Sequence, residues 1–219
     1  MRTTVRAGAV TLEAELDVPP RPRGVVVFAH GSGSSRHSPR NRAVARQLRA
    51  AGLATVLLDL LAADEEQDRR NVFDVALLAD RLADTVRRVQ QWPATAHLPV
   101  GLFGASTGAA AALRAASDPD LRIAAVVSRG GRPDLAQDRL AQVTVPTLLI
   151  VGGADPLVLE LNRRAEAQLR GPKRLVVLPG AGHLFEEPGA LPAVAGLAAS
   201  WYVHYLSDGS AAEHPRRAG

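Results

Sequence analysis

The chain of 219 residues contains no cysteine. Disulfide bonds, thiolate nucleophiles and zinc or iron–sulfur sites with cysteine ligands are therefore excluded. No pair of histidines, and no carboxylate with a histidine, has the spacing of a metal-binding motif, so we expect no metal. A nucleophile in this protein must use oxygen or nitrogen.

Long apolar stretches are also missing. Hydrophobic residues make up 47% of the chain, but no run approaches the ~20 residues that a membrane-spanning helix needs. The opening segment MRTTVRAGAVTLEAEL lacks the apolar block of a signal peptide. We therefore expect a cytoplasmic protein without a membrane partner. The length predicts one domain over residues 1–207, and the small, polar residues 208–219 are typical of a disordered tail.

A concentrated block of positive charge is absent as well. The formal net charge is +4, but the arginines are interspersed with acids, as in DEEQDRRN. Such mixing is typical of an ordinary solvated surface and does not favour a nucleic-acid partner. We expect a small-molecule substrate and a monomer or homodimer.

Short apolar runs of strand length alternate with longer segments whose apolar residues recur at helical spacing. Each run is apolar at both odd and even positions, as strands covered on both faces are. This alternation predicts an α/β fold with a mostly parallel sheet and helices on both faces, because parallel neighbours need crossover connections. The runs are 25–29, 53–60, 99–104, 122–128, 145–152 and 174–180, and an antiparallel hairpin is predicted around 3–7 and 10–17.

Three helices follow from their apolar stripes. The first is opened by Ser38 and Pro39 and closed by Gly52. The second carries apolar residues over 75–89, and the third over 194–205. In such sheets ligands bind beyond the carboxyl ends of the strands, so reactive side chains are expected in the loops that follow the runs.

The clearest motif in those loops is GxSxG, from Gly104 to Gly108. It joins a strand run to the strong helix former AAAALRAA, as the nucleophile elbow of serine hydrolases does. The small residues permit a tight turn that exposes the serine hydroxyl, and the helix directs its positive end at developing negative charge. We interpret Ser106 as a catalytic nucleophile rather than a plain turn serine.

A serine nucleophile needs a base that is oriented by a third group. Asp155 follows the fifth run and His183 follows the sixth, so the chain order is Ser, Asp, His. Asp155 could also serve as the N-cap of the next helix, or do both. Asp59 and Asp134, also near strand ends, are rival acids.

The loop HGSGSS after the first run is rich in glycine and serine and leaves backbone N–H groups bare. We predict that the N–H groups of Ser32 and Thr107 form an oxyanion hole, with His30 and Gly31 as candidate substrate contacts. The alternative is a phosphate-binding loop, but the lysine of GxxxxGK[ST] is missing.

The motifs HGSGSS, GASTG, GGADP and GAGH, in this order, resemble the α/β-hydrolase superfamily, and residues 1–207 resemble its compact dienelactone-hydrolase-like branch. The resemblance implies an eight-stranded sheet, a catalytic triad of Ser106, Asp155 and His183, and ester, lactone or related acyl substrates without a cofactor. Dienelactone hydrolases proper carry cysteine where this chain has Ser106. The resemblance therefore does not imply that dienelactone itself is the substrate.

Two arginine-containing segments, SRHSPRNR at 35–42 and SRGGRPDL at 128–135, resemble a subgroup of predicted hydrolases. Arg40, Arg129 and Arg132 either hold an acidic substrate group or tie loops to carboxylates. The structural role is favoured.

The function predicted from these residues is two-step acyl transfer to water. Residues 128–144 are too few for a helical cap domain between two strands, so a shallow or open pocket and short acyl groups or small lactones are expected. Two alternatives stay open: a non-catalytic binding or receptor module with the same fold, and an acyltransferase or perhydrolase that uses the same triad.

Overall fold

The computed structural model describes residues 1–206, which form one eight-stranded sheet with helices on both faces. The predicted hairpin is present at one edge. It consists of β1 (Arg2–Ala7) and β2 (Val10–Asp17), which pair in antiparallel fashion. The segment 208–219, interpreted from its sequence as a disordered tail, lies outside the described residues.

The six remaining strands coincide with the six apolar runs and pair with one another in parallel. The order across the sheet is β1-β2-β4-β3-β5-β6-β7-β8, with β2 antiparallel to β4. The predicted α/β fold with a mostly parallel sheet is therefore confirmed. The strands are β3 (Val25–Ala29), β4 (Ala54–Leu58), β5 (Val100–Ala105), β6 (Ile123–Arg129), β7 (Thr147–Gly152) and β8 (Lys173–Leu178).

Two groups of helices cover the sheet. The helices are α1 (Pro39–Ala50), α2 (Arg69–Phe73), α3 (Val75–Val89), α4 (Thr107–Ala116), α5 (Pro156–Gln168) and α6 (Ala190–Leu206). Buried side chains of α3, α4 and α5 pack on one face, and those of α1 and α6 pack on the other. The α1 helix begins as predicted, because the Ser38 hydroxyl accepts a hydrogen bond from the Asn41 N–H at 3.3 Å.

The α6 face of the sheet depends on close approach between a helix and a strand. Tyr202 is completely buried, and its ring lies so near Gly101 that a Cβ at this position would come within 2.6 Å of a ring carbon. The Tyr202 hydroxyl donates to the Leu102 carbonyl, which satisfies the polar atom inside the core. Glycine in β5 thus allows α6 to pack beneath the strand that carries the GxSxG motif.

The prediction that every run is covered on both faces is wrong for β8. None of its residues is fully buried, and Val177 is 37% exposed. The reason is its position, since β8 is an edge strand with only β7 as a neighbour. An apolar run on an edge looks like a central strand in the sequence, because periodicity does not report how many neighbours a strand has.

The connection between β6 and β7 contains only two short 3₁₀ turns, Pro133–Ala136 and Leu140–Gln142. No cap domain is inserted there, in agreement with the short spacing in the sequence. Within residues 1–206, no helix has the length and apolar character needed to cross a membrane.

Candidate active site

Ser106 occupies a sharp turn between β5 and α4. Its backbone has φ 52° and ψ −121°, a left-handed conformation that is rare for a non-glycine residue. Hydrogen bonds to the end of β6 and to the loop after it hold the turn: the Ser106 N–H donates to the Arg129 carbonyl at 3.2 Å, and the Ser106 carbonyl accepts from the Arg132 N–H at 3.1 Å. The side chain is half-buried. This is the geometry of a nucleophile elbow.

The two glycines of the motif are required by close backbone contacts. A Cβ on Gly104 would come within 2.3 Å of the Ala109 Cα, and a Cβ on Gly108 would come within 2.3 Å of the Ala29 carbonyl oxygen. Real Cβ atoms essentially never approach other atoms so closely. The glycines therefore let α4 lie against β3 and bring the loop after β3 to the serine.

Asp155 and His183 meet at the same edge of the sheet. The His183 Nδ1 and the Asp155 Oδ2 are 2.8 Å apart, with the aspartate side chain 17% exposed and the histidine 39%. The other carboxylate oxygen of Asp155 accepts from the Val158 N–H at 3.4 Å and caps α5. Asp155 thus makes both of the contacts that were considered from the sequence.

The two rival acids have other partners. Asp59 forms an ion pair with Arg36, and Asp134 forms one with Arg132 at 2.8 Å. Asp155 is therefore the acid that reaches the His183 ring.

Ser106 and His183 both lie close to the segment that ends β6 and begins the loop after it. A Cβ on Gly130 would lie 3.1 Å from the His183 carbonyl oxygen and 3.6 Å from its Nδ1, and the preceding residue, Arg129, bonds to the Ser106 N–H. Among the described residues, the Ser106 hydroxyl makes no hydrogen bond with the His183 ring. Catalytic hydrogen bonds of free enzymes are often long and shorten when substrate binds.

The proposed oxyanion donors are in direct contact with each other. The Ser32 N–H donates to the Thr107 hydroxyl at 2.8 Å, a side-chain contact that the sequence did not predict. The Thr107 N–H, in the first turn of α4, has no acceptor within the helix. In this structure the Ser32 N–H is therefore already engaged, and it becomes available to a ligand only if the Thr107 side chain rotates.

His30 stabilises the same loop through hydrogen bonds of its buried ring. Burial lowers the pKa of His30, so the ring is neutral. Its Nε2 accepts from the Leu60 N–H at 3.1 Å, and its Nδ1 donates to the Gly31 carbonyl at 2.9 Å. His30 thus joins the loop after β3 to the loop after β4, and both of its ring nitrogens form hydrogen bonds with backbone groups.

A small cavity of about 20 Å³ lies beside this loop. Its walls are mostly apolar, and Gly31, Ser32, Asp59 and Glu66 are among the residues that line it. Ser106, Asp155 and His183 do not line it. The apolar side chains on its walls are Leu60, Leu61, Val72 and Leu78.

The three candidate arginines differ in their partners. Arg132 pairs with Asp134, and Arg40 pairs with Glu186 at 3.1 Å. Arg129 is only 7% exposed and has no carboxylate partner among residues 1–206. The favoured interpretation, an arginine that ties a loop to a carboxylate, therefore does not describe Arg129.

Two side chains that support the site were not predicted. Buried Asn162 on α5 donates to the Gly131 carbonyl at 2.9 Å, and Glu187 accepts from the Gly182 N–H at 2.9 Å, beside His183. Asn162 carries a sequence signal, because it lies on the buried helical stripe of Val158 and Ala165. Glu187 carries none, since its contact arises from the fold of its own loop.

Comparisons with known proteins agree with this fold. The family model of an alpha/beta hydrolase domain matches residues 22–193. The crystal structure of a dienelactone hydrolase from Anabaena variabilis superposes with a TM-score of 0.91 at 54% sequence identity, over 94% of this chain and 97% of that one.

Curated relatives carry two different names. Proteins of Mycobacterium tuberculosis named as phosphoribosyl transferases are 61% identical over 202 residues, which are 92% of this chain but 46% of those proteins. The chain thus spans about half the length of these relatives. A 2-oxo-3-(5-oxofuran-2-ylidene)propanoate lactonase of Bradyrhizobium is 29% identical over 166 residues, 66% of each chain. On the family match and the structural likeness together, the chain belongs to the α/β-hydrolase family and is of the dienelactone-hydrolase-like type.

Proposed function

We propose that this protein is a serine hydrolase that acts on small esters or lactones, with Ser106, Asp155 and His183 as its triad. The observation that carries the proposal is the 2.8 Å hydrogen bond between His183 and Asp155, at the strand edge where Ser106 occupies its strained turn. A carboxylate on Nδ1 fixes the tautomer of the imidazole and leaves Nε2 free to accept a proton.

The reaction proceeds in two acyl-transfer steps. His183 accepts the Ser106 proton as the hydroxyl oxygen attacks the carbonyl carbon, and the resulting imidazolium is stabilised by Asp155. The oxyanion is bound by the Thr107 N–H and, after rotation of the Thr107 side chain, by the Ser32 N–H. His183 then protonates the leaving alcohol. Water attacks the acyl-enzyme by the same route and releases Ser106.

The comparisons support the substrate class. The relatives include one named as a lactonase and one named as a dienelactone hydrolase, and both names denote cleavage of a cyclic ester. The lack of a cap domain between β6 and β7 favours short acyl groups or small lactones over long lipids. Activity on p-nitrophenyl esters should therefore decline beyond octanoate, and a rise with longer chains would contradict this substrate class.

Replacement of the nucleophile tests the reaction. Ser106→Ala should retain the fold, as measured by circular dichroism, and reduce kcat for p-nitrophenyl acetate by about 10³-fold or more. Ser200→Ala is the matched control, because Ser200 is exposed on α6. Ser106→Ala with activity equal to that of the control would refute Ser106 as the nucleophile. A fluorophosphonate probe should label the wild-type protein and not Ser106→Ala.

A further inference from the structure

Arg129 is a buried cation that has no anionic partner within residues 1–206. It is the last residue of β6, directly beside Ala105 in the neighbouring strand, and its carbonyl accepts from the Ser106 N–H. The side-chain atoms Nε and Nη1 are covered and have no hydrogen-bond partner. No salt bridge of Arg129 exists among residues 1–206, so only Nη2 is left to face solvent.

Such a placement is unfavourable for the protein alone. Removal of a charged group from water destabilises the folded protein unless a partner compensates. Burial, and to a smaller degree the charge of Arg40, lowers the pKa of Arg129 to about 10, so the guanidinium still carries its charge at neutral pH. An arginine whose role was to fasten a loop would be expected to have a carboxylate partner, as Arg132 has in Asp134.

A second cation, Arg40, makes the buried charge of Arg129 still less favourable. Arg40 lies close enough to Arg129 to disfavour its charge, and it occupies the first turn of α1, where the helix dipole also disfavours a cation. The Arg40 Nε is covered and has no hydrogen-bond partner among the described residues. Glu186, its carboxylate partner in the described part of the chain, is 67% exposed and contacts Nη1, so solvent screens that pair.

We propose that Arg129 and Arg40 form a binding site for an anionic oxygen group of the substrate, a carboxylate or a phosphate. Such a group would accept a hydrogen bond from Nη2 of the Arg129 guanidinium, and Arg40 adds a second positive charge. Because the Arg129 carbonyl accepts from the Ser106 N–H, the anion would lie near the nucleophile. The inference deepens the proposed function, on which its kinetic part rests.

Binding can be tested without catalysis. Succinate and inorganic phosphate are added separately, at ionic strength held constant with chloride, and the thermal unfolding midpoint is measured. The preferred anion should raise the midpoint of the wild-type protein, since a ligand that binds only the folded state stabilises it. The apparent affinity should fall ten- to hundredfold in Arg129→Gln, the loss expected for a charge-assisted contact, and should be partly restored in Arg129→Lys. Arg114→Gln removes the same charge at a surface pair with Asp138 and should behave as wild type.

The kinetic arm compares mono-p-nitrophenyl glutarate, which carries a free carboxylate, with p-nitrophenyl pentanoate. The ratio of the two kcat/KM values should fall at least tenfold in Arg129→Gln and remain at the wild-type value in Arg114→Gln. If Arg129→Gln does not fold, Arg40→Gln should lower the ratio and the anion affinity in the same direction.

The outcomes separate the two proposals. Stabilisation by succinate with a fall in the glutarate ratio identifies a carboxylate site, and stabilisation by phosphate alone identifies a phosphate site. No effect of either anion on the wild-type protein, or equal effects on wild type and Arg129→Gln, would overturn the anion site. If the wild-type protein hydrolyses no ester while the anion still binds in an Arg129-dependent way, the proposed reaction fails and the anion site stands.

Discussion

Substitution of Gly108 by alanine should damage both the fold and the site, although alanine is the better helix former. Gly108 lies in the first turn of α4, and an added Cβ would come within 2.3 Å of the Ala29 carbonyl oxygen and 2.4 Å of the His30 carbonyl oxygen. Both obstacles are backbone atoms of β3 and the loop after it. No side-chain rotation relieves the contact, so α4 or the loop must move.

The expected magnitude follows from two opposing effects. Alanine in a helix interior is favoured over glycine by roughly 0.5–1 kcal/mol. Overpacking of a close-packed interior costs about 1–3 kcal/mol, and here the contact is with backbone, so the upper part of that range applies. We therefore expect Gly108→Ala to lower the free energy of unfolding by about 2 kcal/mol, or several degrees in the unfolding midpoint.

Activity should fall further than stability. The movement separates Ser106 and Thr107, at the start of α4, from the loop that carries Ser32, and a shift of about 1 Å in a catalytic group can cost roughly 10²-fold. Urea unfolding and p-nitrophenyl acetate kinetics measure the two effects.

Gly196→Ala is the matched control, since Gly196 also lies in a helix but an added Cβ would meet nothing within 4 Å. It should be neutral or stabilising, with unchanged activity. The reasoning is refuted if Gly108→Ala is as stable and as active as Gly196→Ala.

Two further predictions concern Asp155 and His30. Asp155→Asn keeps a side-chain oxygen for the Val158 N–H but removes the carboxylate from His183, so kcat/KM for p-nitrophenyl acetate should fall by about 10³–10⁴-fold with little change in stability. Asp74→Asn at the N-cap of α3 is the control. Equal activity of the two variants would mean that Asp155 serves only as a helix cap. His30 has a pKa lowered from 6.5 by burial, so the unfolded state binds the proton first and the free energy of unfolding should decrease as the pH falls below 6.5. His30→Gln should be less stable at neutral pH, because the bond to Leu60 is disturbed, but urea unfolding should show a weaker pH dependence in that range; an unchanged dependence would contradict the assignment.

Most of the fold could be predicted because local pattern and final environment agree. The run VVVFA became β3 without a change of bounds, and Ser38 and Pro39 start α1 as their cap and first-turn preferences require. The exception, β8, shows the limit of such reasoning. Its run is as apolar as the others, yet the strand lies at the edge of the sheet, and strand order depends on packing between elements far apart in the chain.

The positions of the site residues could be predicted for a related reason. Parallel strands end at one edge of the sheet, so residues directly after β5, β7 and β8 had to come near one another. The contact between Asp155 and His183 followed from that placement.

Which atoms are already engaged could not be predicted from strand ends. The Ser32 N–H donates to a hydroxyl 75 residues away, and the buried Arg129 has no acid as a partner among residues 1–206. Both facts depend on side-chain direction after the loops have folded, which no local motif encodes.

The same two features suggest that the bound substrate completes the site. A substrate that brings an anion to Arg129 supplies the charge that the protein lacks, and an oxyanion competes with the Thr107 hydroxyl for the Ser32 N–H as the negative charge develops. The oxyanion contact is stronger in the transition state than in the bound substrate and therefore raises kcat, whereas the anion contact with Arg129 is made equally in both states and lowers KM.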